Sequence, residues 1–310
     1  MKPRICVVGS INMDLVFRTP RMPVAGETIS GHEFLQIAGG KGANQAVAAA
    51  RAGAAVSMIA CIGDDSYGQQ SLQGLQSDSI NCDHIQTIPA CATGVAGIFV
   101  DDQGRNSIVI APGANAHVSP AQITVASQAI SGAQLLICQC ETPLDSVIYA
   151  IGLATQHGII VVFNPAPALA LSDELLAQVH YLIVNETEAR QLSGIAVTNL
   201  ATAQQASDHL RQRGASCVLL TMGEQGVMIT DSNQSRHLAA IRVQAVDTTA
   251  AGDTFVGAFA TALCQGLSPI DAAQRAQYAA ALTVTRLGAQ SSIPDRAAVE
   301  QFIAQRSAVS

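Results

Sequence analysis

Asp253 closes the run Asp247-Thr248-Thr249-Ala250-Ala251-Gly252-Asp253, a turn of small residues ahead of an apolar stretch of helical spacing from Thr254 to about Gln265. The unhindered N–H groups of Ala250, Ala251 and Gly252 can converge on one charged oxygen, and the positive end of the following helix adds to them. Such a turn suits a phosphate. A carboxylate in the same place either caps the helix or accepts the proton of an alcohol that attacks the phosphate. The motif alone leaves both uses open.

Other polar groups gather where apolar runs end. Asn12 and Asp14 follow Ile5–Val8 with the spacing that sends both side chains to one side of an extended backbone. An Asp can accept two sugar hydroxyls and an Asn offers one donor and one acceptor, while an Asx turn is the alternative use. Gly39-Gly40-Lys41-Gly42-Ala43-Asn44-Gln45-Ala46 opens a helix where a small polar molecule can meet bare backbone, and Lys41 and Asn44 are costly to strand in so apolar a neighbourhood. It is not a Walker loop, because Lys41 precedes Gly42 instead of Ser or Thr, and the chain has no G-x-G-x-x-G. Glu141 is either a site acid or a helix cap ahead of Pro143. Asn185 and Glu188, in Asn185-Glu186-Thr187-Glu188, either surround a hydrated Mg²⁺ or cap a helix start. Gly223 and Gly226, after Thr221, make a strand exit against which a nucleotide can lie. The seven His show no H-E-x-x-H spacing, Cys138-Gln139-Cys140 lacks the spacer of zinc and redox motifs, and Ser10 is outside any G-x-S-x-G elbow.

The elements that must position these groups alternate. Short β-branched runs at Ile5–Val8, Val56–Cys61, Gln134–Gln139, Ile159–Phe163, Tyr181–Val184 and Cys217–Thr221 read as buried parallel strands. Helical spacing lies between them at Gly42–Ala52, Ser66–Ser77, Leu144–His157 and Ala201–Arg213. Repetition of strand and helix predicts a doubly covered α/β sheet with its sites at the carboxyl ends of the strands. Two segments break the rhythm. Met13–Arg18 and Ile29–Ile37, joined through Pro23-Val24-Ala25-Gly26, and a hairpin of Gly94–Val100 with Ser107–Ile110, predict a small extra sheet whose apolar face covers a ligand site, a second subunit, or both.

Composition narrows the class. The 310 residues are 49% hydrophobic with mean hydropathy +0.29, enough for a deep core, and only 13% are charged, with net charge -7 and no Trp. A basic footprint for nucleic acid is absent, and no apolar stretch approaches the roughly 18 residues of a membrane helix. We expect a cytoplasmic protein with no nucleic-acid or membrane partner, whose eight cysteines are reduced core residues.

In order along nearly the whole chain, Gly9-Ser10-Ile11-Asn12-Met13-Asp14, Pro23-Val24-Ala25-Gly26-Glu27-Thr28, the Gly39–Ala46 segment, Asn164-Pro165-Ala166-Pro167, Asn185–Glu188 and Asp247–Phe255 resemble the ribokinase-like (PfkB-type) carbohydrate kinase family. The resemblance implies one domain over residues 1–310: a three-layer α/β/α sandwich with a mostly parallel central sheet and a β-sheet lid, formed by about 12–38 and 93–112, that in many members clasps a second subunit as a homodimer. It implies that Asn12, Asp14, Gly40, Lys41, Asn44 and Glu141 hold sugar hydroxyls, that Asp253 is the base, and that Ala250, Ala251 and Gly252 form the anion hole. Asn185, Thr221, Gly223, Gly226 and Gln277 would line the ATP site, with Asn185 and Glu188 near Mg²⁺. A monovalent cation, K⁺, would be held largely by backbone carbonyls at Asp247, Thr249, Thr283, Arg286, Gly288 and Ser292. The family's usual Gly-Ala-Gly-Asp turn is Ala250-Ala251-Gly252-Asp253 here. The expected reaction is ATP-dependent phosphorylation of the primary 5-hydroxyl of D-ribose. Another pentose such as deoxyribose, or a nucleoside, is the alternative acceptor, and a non-catalytic sugar-binding regulator is the alternative of another class.

Overall fold

Runs that are apolar on both faces need cover on both faces, and pairing them in parallel with helices above and below supplies it. The computed structural model describes residues 2–307. The first run is strand β1 (Arg4–Val8); the chain then leaves in β2 (Asn12–Thr19) and β3 (Glu33–Gly39) and returns in β4 (Ala55–Gly63) and β5 (Asn81–Ile88). A second excursion, β6 (Gly94–Asp101) and β7 (Asn106–Ala111), precedes β8 (Leu135–Cys138), β9 (Ile160–Phe163), β10 (Tyr181–Asn185), β11 (Cys217–Thr221), β12 (Val227–Thr230) and β13 (Ser235–Leu238). The main sheet has nine strands in the order β13-β12-β11-β10-β9-β8-β1-β4-β5, parallel except that β12 runs against both its neighbours, β11 and β13. Because side chains alternate across a strand, Ile5 and Val7 of β1 join the core built with the helices Lys41–Arg51, Ala251–Cys264 and Pro269–Thr283. Cys6 and Val8 join the opposite core, with the helices Leu144–Gln156 and Leu200–Gln212. Three layers result. The eight cysteines are free, as expected, and burial pushes the Cys6 thiol up to about 12.

The two excursions pair with each other in a second sheet of order β3-β2-β6-β7, with β2 parallel to β6 and the outer pairs antiparallel. This is the lid. Its second expected segment begins later than the sequence suggested: β3 starts at Glu33, not Ile29. Arg18 is opposite Glu33 in the ladder, and the residues before it are needed to reverse the chain, with Gly26 at φ 82 and Glu27 N–H donating to Val24 O. The strands β5, β12 and β13 were not anticipated; β5 is a half-exposed edge with polar alternation, and β12–β13 is a short antiparallel hairpin. One helix also begins earlier than expected. Ala251, not Thr254, opens it, so Asp253 lies inside its first turn.

Candidate active site

Ala250 caps that helix in the left-handed region at φ 59. A non-Gly residue there is strained by roughly 1–2 kcal/mol, and the conformation turns the next amides toward the carboxyl edge of the sheet. Ala251 N–H closes the turn on Thr248 O at 3.3 Å. The N–H groups of Ala250, Gly252 and Asp253 have no acceptor among the described residues. A Cβ on Gly252 would meet nothing within 4 Å, so space stands open in front of these donors. The available set is therefore Ala250, Gly252 and Asp253 in place of the expected Ala250, Ala251 and Gly252.

The Asp253 carboxylate is 7% exposed and held at both oxygens by amides: Asn44 Nδ2 donates to Oδ2 at 2.9 Å and Gln45 Nε2 donates to Oδ1 at 2.9 Å. Both donors sit in the first five residues of the Lys41–Arg51 helix, whose N-terminus is drawn hard against the end of β1. Glycine makes that approach possible. A Cβ on Gly42 would fall 2.5 Å from Ser10 N and 2.6 Å from Gly9 C, and Gly40, at φ 89, lies equally close to Asn12 N. Ser10 Oγ donates to Glu141 Oε2 at 2.6 Å, and the Lys41 N–H donates to the same oxygen at 3.1 Å. Glu141 thus serves as an acidic cap for this helix and as a charge beside Lys41.

From the lid, β2 and β3 bring Asn12 opposite Gly39 and Asp14 opposite Ile37. Gly39 leaves room for the Asp14 carboxylate, which would lie 2.4 Å from a Cβ there. Asn12 is buried and its Oδ1 accepts from Asn115 Nδ2 at 2.8 Å, while Asn115 Nδ2 and Oδ1 also bond the Ile11 backbone. Burial pushes Asp14 up to about 7, the charges of Glu141 and Asp253 adding to it and Lys41 opposing it. Lys41 is held above its ordinary value by Asp253 first, then Glu141, Glu188 and Asp14, against burial. One cation thus balances four acids. Asn44 Oδ1 is buried and has no partner among the described residues, which leaves an acceptor open in the same group.

Lys41, Asn185, Glu188, Thr221, Ala250, Gly252 and Asp253 line one cleft of about 210 Å³, together with Asn164 and Thr248. Asn185 and Glu188 form a reciprocal capping box, Asn185 N–H donating to Glu188 Oε2 and Glu188 N–H to Asn185 Oδ1. The cap and the metal reading are compatible, because Glu188 Oε1 has no partner among the described residues; burial raises the Glu188 pKa. Gly223 and Gly226 follow at the β11 exit. Gly223 has open space around it, whereas Gly226 is glycine because a Cβ would meet Leu238 O at 2.0 Å. Gln277 is buried in the Pro269–Thr283 helix, with its Nε2 unpartnered, and is not among the residues lining the cleft.

Asp247 ties two loops together: Oδ1 accepts from Thr249 N–H and Oγ1, and Oδ2 accepts from Gly288 N–H at 2.9 Å. The carbonyls of Asp247, Thr249, Arg286 and Gly288 accept nothing among the described residues, a set of hard oxygens suited to a monovalent cation. Thr283 O already accepts from Arg286 N–H, and Ser292 Oγ donates to Ala289 O. Sequence reasoning did not assign Gln45, Gln139, Asn115 or Asn164 a role in the site. Gln45 and Asn164 fall inside segments it had singled out, but Asn115 is a lid-base residue far along the chain with no local signal.

A lid over a parallel sheet, with a buried acid at a helix start and free amides facing a cleft, defines a phosphotransferase of the carbohydrate-kinase class. The pfkB carbohydrate kinase family profile matches residues 2–296, and the chain belongs to that family. It is 43% identical over 303 residues to a ribokinase of Haemophilus influenzae, covering 98% of this chain and 99% of that one. A deoxyribokinase of Salmonella typhi is 40% identical over 299 residues, 96% of this chain and 97% of that one. Among solved structures, Arabidopsis thaliana ribokinase complexed with ribose and ATP superposes with TM-score 0.92 at 30% identity, over 98% of this chain and 99% of that one.

Proposed function

We propose that this chain is an ATP-dependent sugar kinase that phosphorylates the primary 5-hydroxyl of D-ribose, giving D-ribose 5-phosphate and ADP. The observation that carries the proposal is the placement of the Asp253 carboxylate, gripped by Asn44 and Gln45, beside the free N–H groups of Ala250 and Gly252 in one cleft with Lys41. Its relatives named ribokinase support ribose as the acceptor. A phosphosugar acceptor would call for several Lys or Arg, and Lys41 stands alone among the sugar-side groups.

Asn12, Asp14, the Gly40–Asn44 segment and Glu141 hold the sugar under the lid with its primary hydroxyl toward Asp253. Asp253 takes the hydroxyl proton, the sugar oxygen bonds to the γ-phosphorus in line, and the β,γ-bridging bond breaks with its electron pair going to ADP. The helix-start amides neutralise charge on the transferring group as it develops. ATP lies along the β10 and β11 exits, against Asn185, Thr221, Gly223 and Gly226. Mg²⁺, when bound, neutralises the phosphate charge; Glu188 Oε1 and Asn185 are the groups that orient its waters. K⁺ belongs at the unpartnered carbonyls of the two loops pinned by Asp247. We further infer a cytoplasmic homodimer joined through the lid, because Ile108 and Ile110 are 52% and 45% exposed on the face of the lid sheet that carries Asp14.

ADP release from ATP with ribose, deoxyribose, other pentoses and nucleosides, in the presence of Mg²⁺ and K⁺, tests the assignment. Ribose should give the highest kcat/KM. Preference for deoxyribose moves the chain to the deoxyribokinase side of its relatives, and ribose binding without ADP release from any acceptor makes it a regulator. Asp253→Asn should keep the fold and sugar binding and lose at least ~100-fold in kcat.

A further inference from the structure

We infer that Gln45 is a positioning residue for Asp253, and that Asn164 fixes which end of its amide faces the carboxylate; this rests on the kinase reading above. Gln45 is fully buried, and each polar atom of its side chain is engaged. Nε2 donates both to Asp253 Oδ1 at 2.9 Å and to Asn164 Oδ1 at 3.0 Å, and Oε1 accepts from Gln139 Nε2 at 2.7 Å. An amide can be flipped without changing its shape, so its polarity must be set by neighbours that cannot flip. The Ile183 carbonyl is such a neighbour. It accepts from Asn164 Nδ2 at 2.9 Å, which obliges Asn164 to present Oδ1 to Gln45 and Gln45 to present its NH₂. Gln139 supplies the matching donor at the other end of Gln45.

The consequence is a donor that can only donate, aimed at one oxygen of the base. Asn44 holds the other oxygen, but its own Oδ1 is unpartnered and its side chain stands with the sugar-side groups, so it is the partner that can turn toward a hydroxyl. Gln45 has no such freedom. It keeps Oδ1 hydrogen-bonded while Oδ2 is released to receive the sugar proton, and it fixes the carboxylate plane against the free amides of the helix start. Within this network the carboxylate is oriented by neutral amide donors.

Four variants, Gln45→Met, Asp253→Asn, their combination and Gln45→Glu, test the assignment against wild type with ATP, ribose, Mg²⁺ and K⁺, with thermal unfolding and calorimetric ribose binding as independent readouts. Gln45→Met should bind ribose within ~3-fold of wild type and lose roughly 10- to 100-fold in kcat, the range of one lost hydrogen bond to a charged group. In an Asp253→Asn background the same change should cost less than ~3-fold, because the group it positions is gone. Gln45→Glu adds a signature that packing alone does not produce. Its carboxyl can replace the amide donor only while protonated, so the ratio of its kcat to that of wild type should fall at least ~10-fold from about pH 6 to about pH 8.5, as two carboxylates come to confront each other. Equal losses in the two backgrounds, or a constant kcat ratio across that pH range, overturn the positioning role while leaving the kinase assignment intact. A wild-type protein that releases no ADP with any sugar overturns the kinase reading and this inference together.

Discussion

Acidification should weaken sugar binding and stabilise the sugar-free protein at the same time, and both effects trace to Asp14. Its carboxyl is pushed from an ordinary 3.8 up to about 7, by burial first and then by Glu141 and Asp253, with Lys41 opposing. Accepting two hydroxyl donors needs the ionised form. Between about pH 8 and about pH 5.5 the ionised fraction falls about 30-fold, so KM for ribose should rise about 30-fold while KM for ATP barely moves. The sign for stability is the reverse. The folded-state pKa lies above the unfolded one, so the contribution is present in full below the unfolded pKa and is lost as pH rises through about 7. Over the same interval wild type should therefore gain about 2 kcal/mol relative to Asp14→Asn on acidification, at 1.36 kcal/mol per pH unit over the 1.5 or so units below the folded pKa. Steady-state kinetics and urea unfolding of the two proteins at matched pH measure these quantities. A ribose KM that stays flat from about pH 8 to about pH 5.5 in wild type, or that rises equally in Asp14→Asn, refutes the reasoning.

Other expectations are narrower. Gly42→Ala should lower stability by roughly 1–3 kcal/mol in denaturant unfolding, because the new Cβ meets backbone at 2.5 Å and the Lys41–Arg51 helix must back away from β1. Ala250→Gly relieves about 1–2 kcal/mol of left-handed strain against a backbone-entropy cost of about 0.5–1, so its Tm should be unchanged or slightly raised and its kcat should stay within ~3-fold. A fall in Tm of several degrees would show that Ala250 is held by contacts its backbone angles do not reveal. Ile108→Asp should shift a lid-joined dimer toward monomer in sedimentation velocity without unfolding the chain, and an unchanged sedimentation coefficient removes the lid face from the interface.

The sequence disclosed most where one residue type answers one physical demand. Uninterrupted runs such as Ile5–Val8 and Cys217–Thr221 read as buried parallel strands because little else tolerates them, and both are strands here. The half-exposed edge β5 escaped because its alternation of polar and apolar residues is blurred, as in Asn81-Cys82-Asp83-His84. At the helix carrying Asp253, the small residues Ala251 and Gly252 look like loop, and only the tertiary setting makes them helical; the acid consequently sits deeper in the helix than its spacing suggests. Glycines were legible as close approaches but not in what they approach. Gly42 admits the protein's own backbone at Ser10, whereas Gly252, at the expected anion hole, leaves open space.

What no local pattern discloses is how the base is held. Asp253 receives Asn44 and Gln45 from a helix some two hundred positions earlier, and Gln45 is itself oriented from β8 and β9 through Gln139 and Asn164. All of these are amides, and the reason is electrostatic. Asp14, Glu141, Glu188 and Asp253 already surround one Lys41, and a second cation against Asp253 would hold its carboxylate in a fixed ion pair, away from the hydroxyl it has to meet. A neutral donor orients the carboxylate without discharging it. The orientation of Asp253 then depends on uncharged groups that stay in place whether or not phosphate oxygens are present.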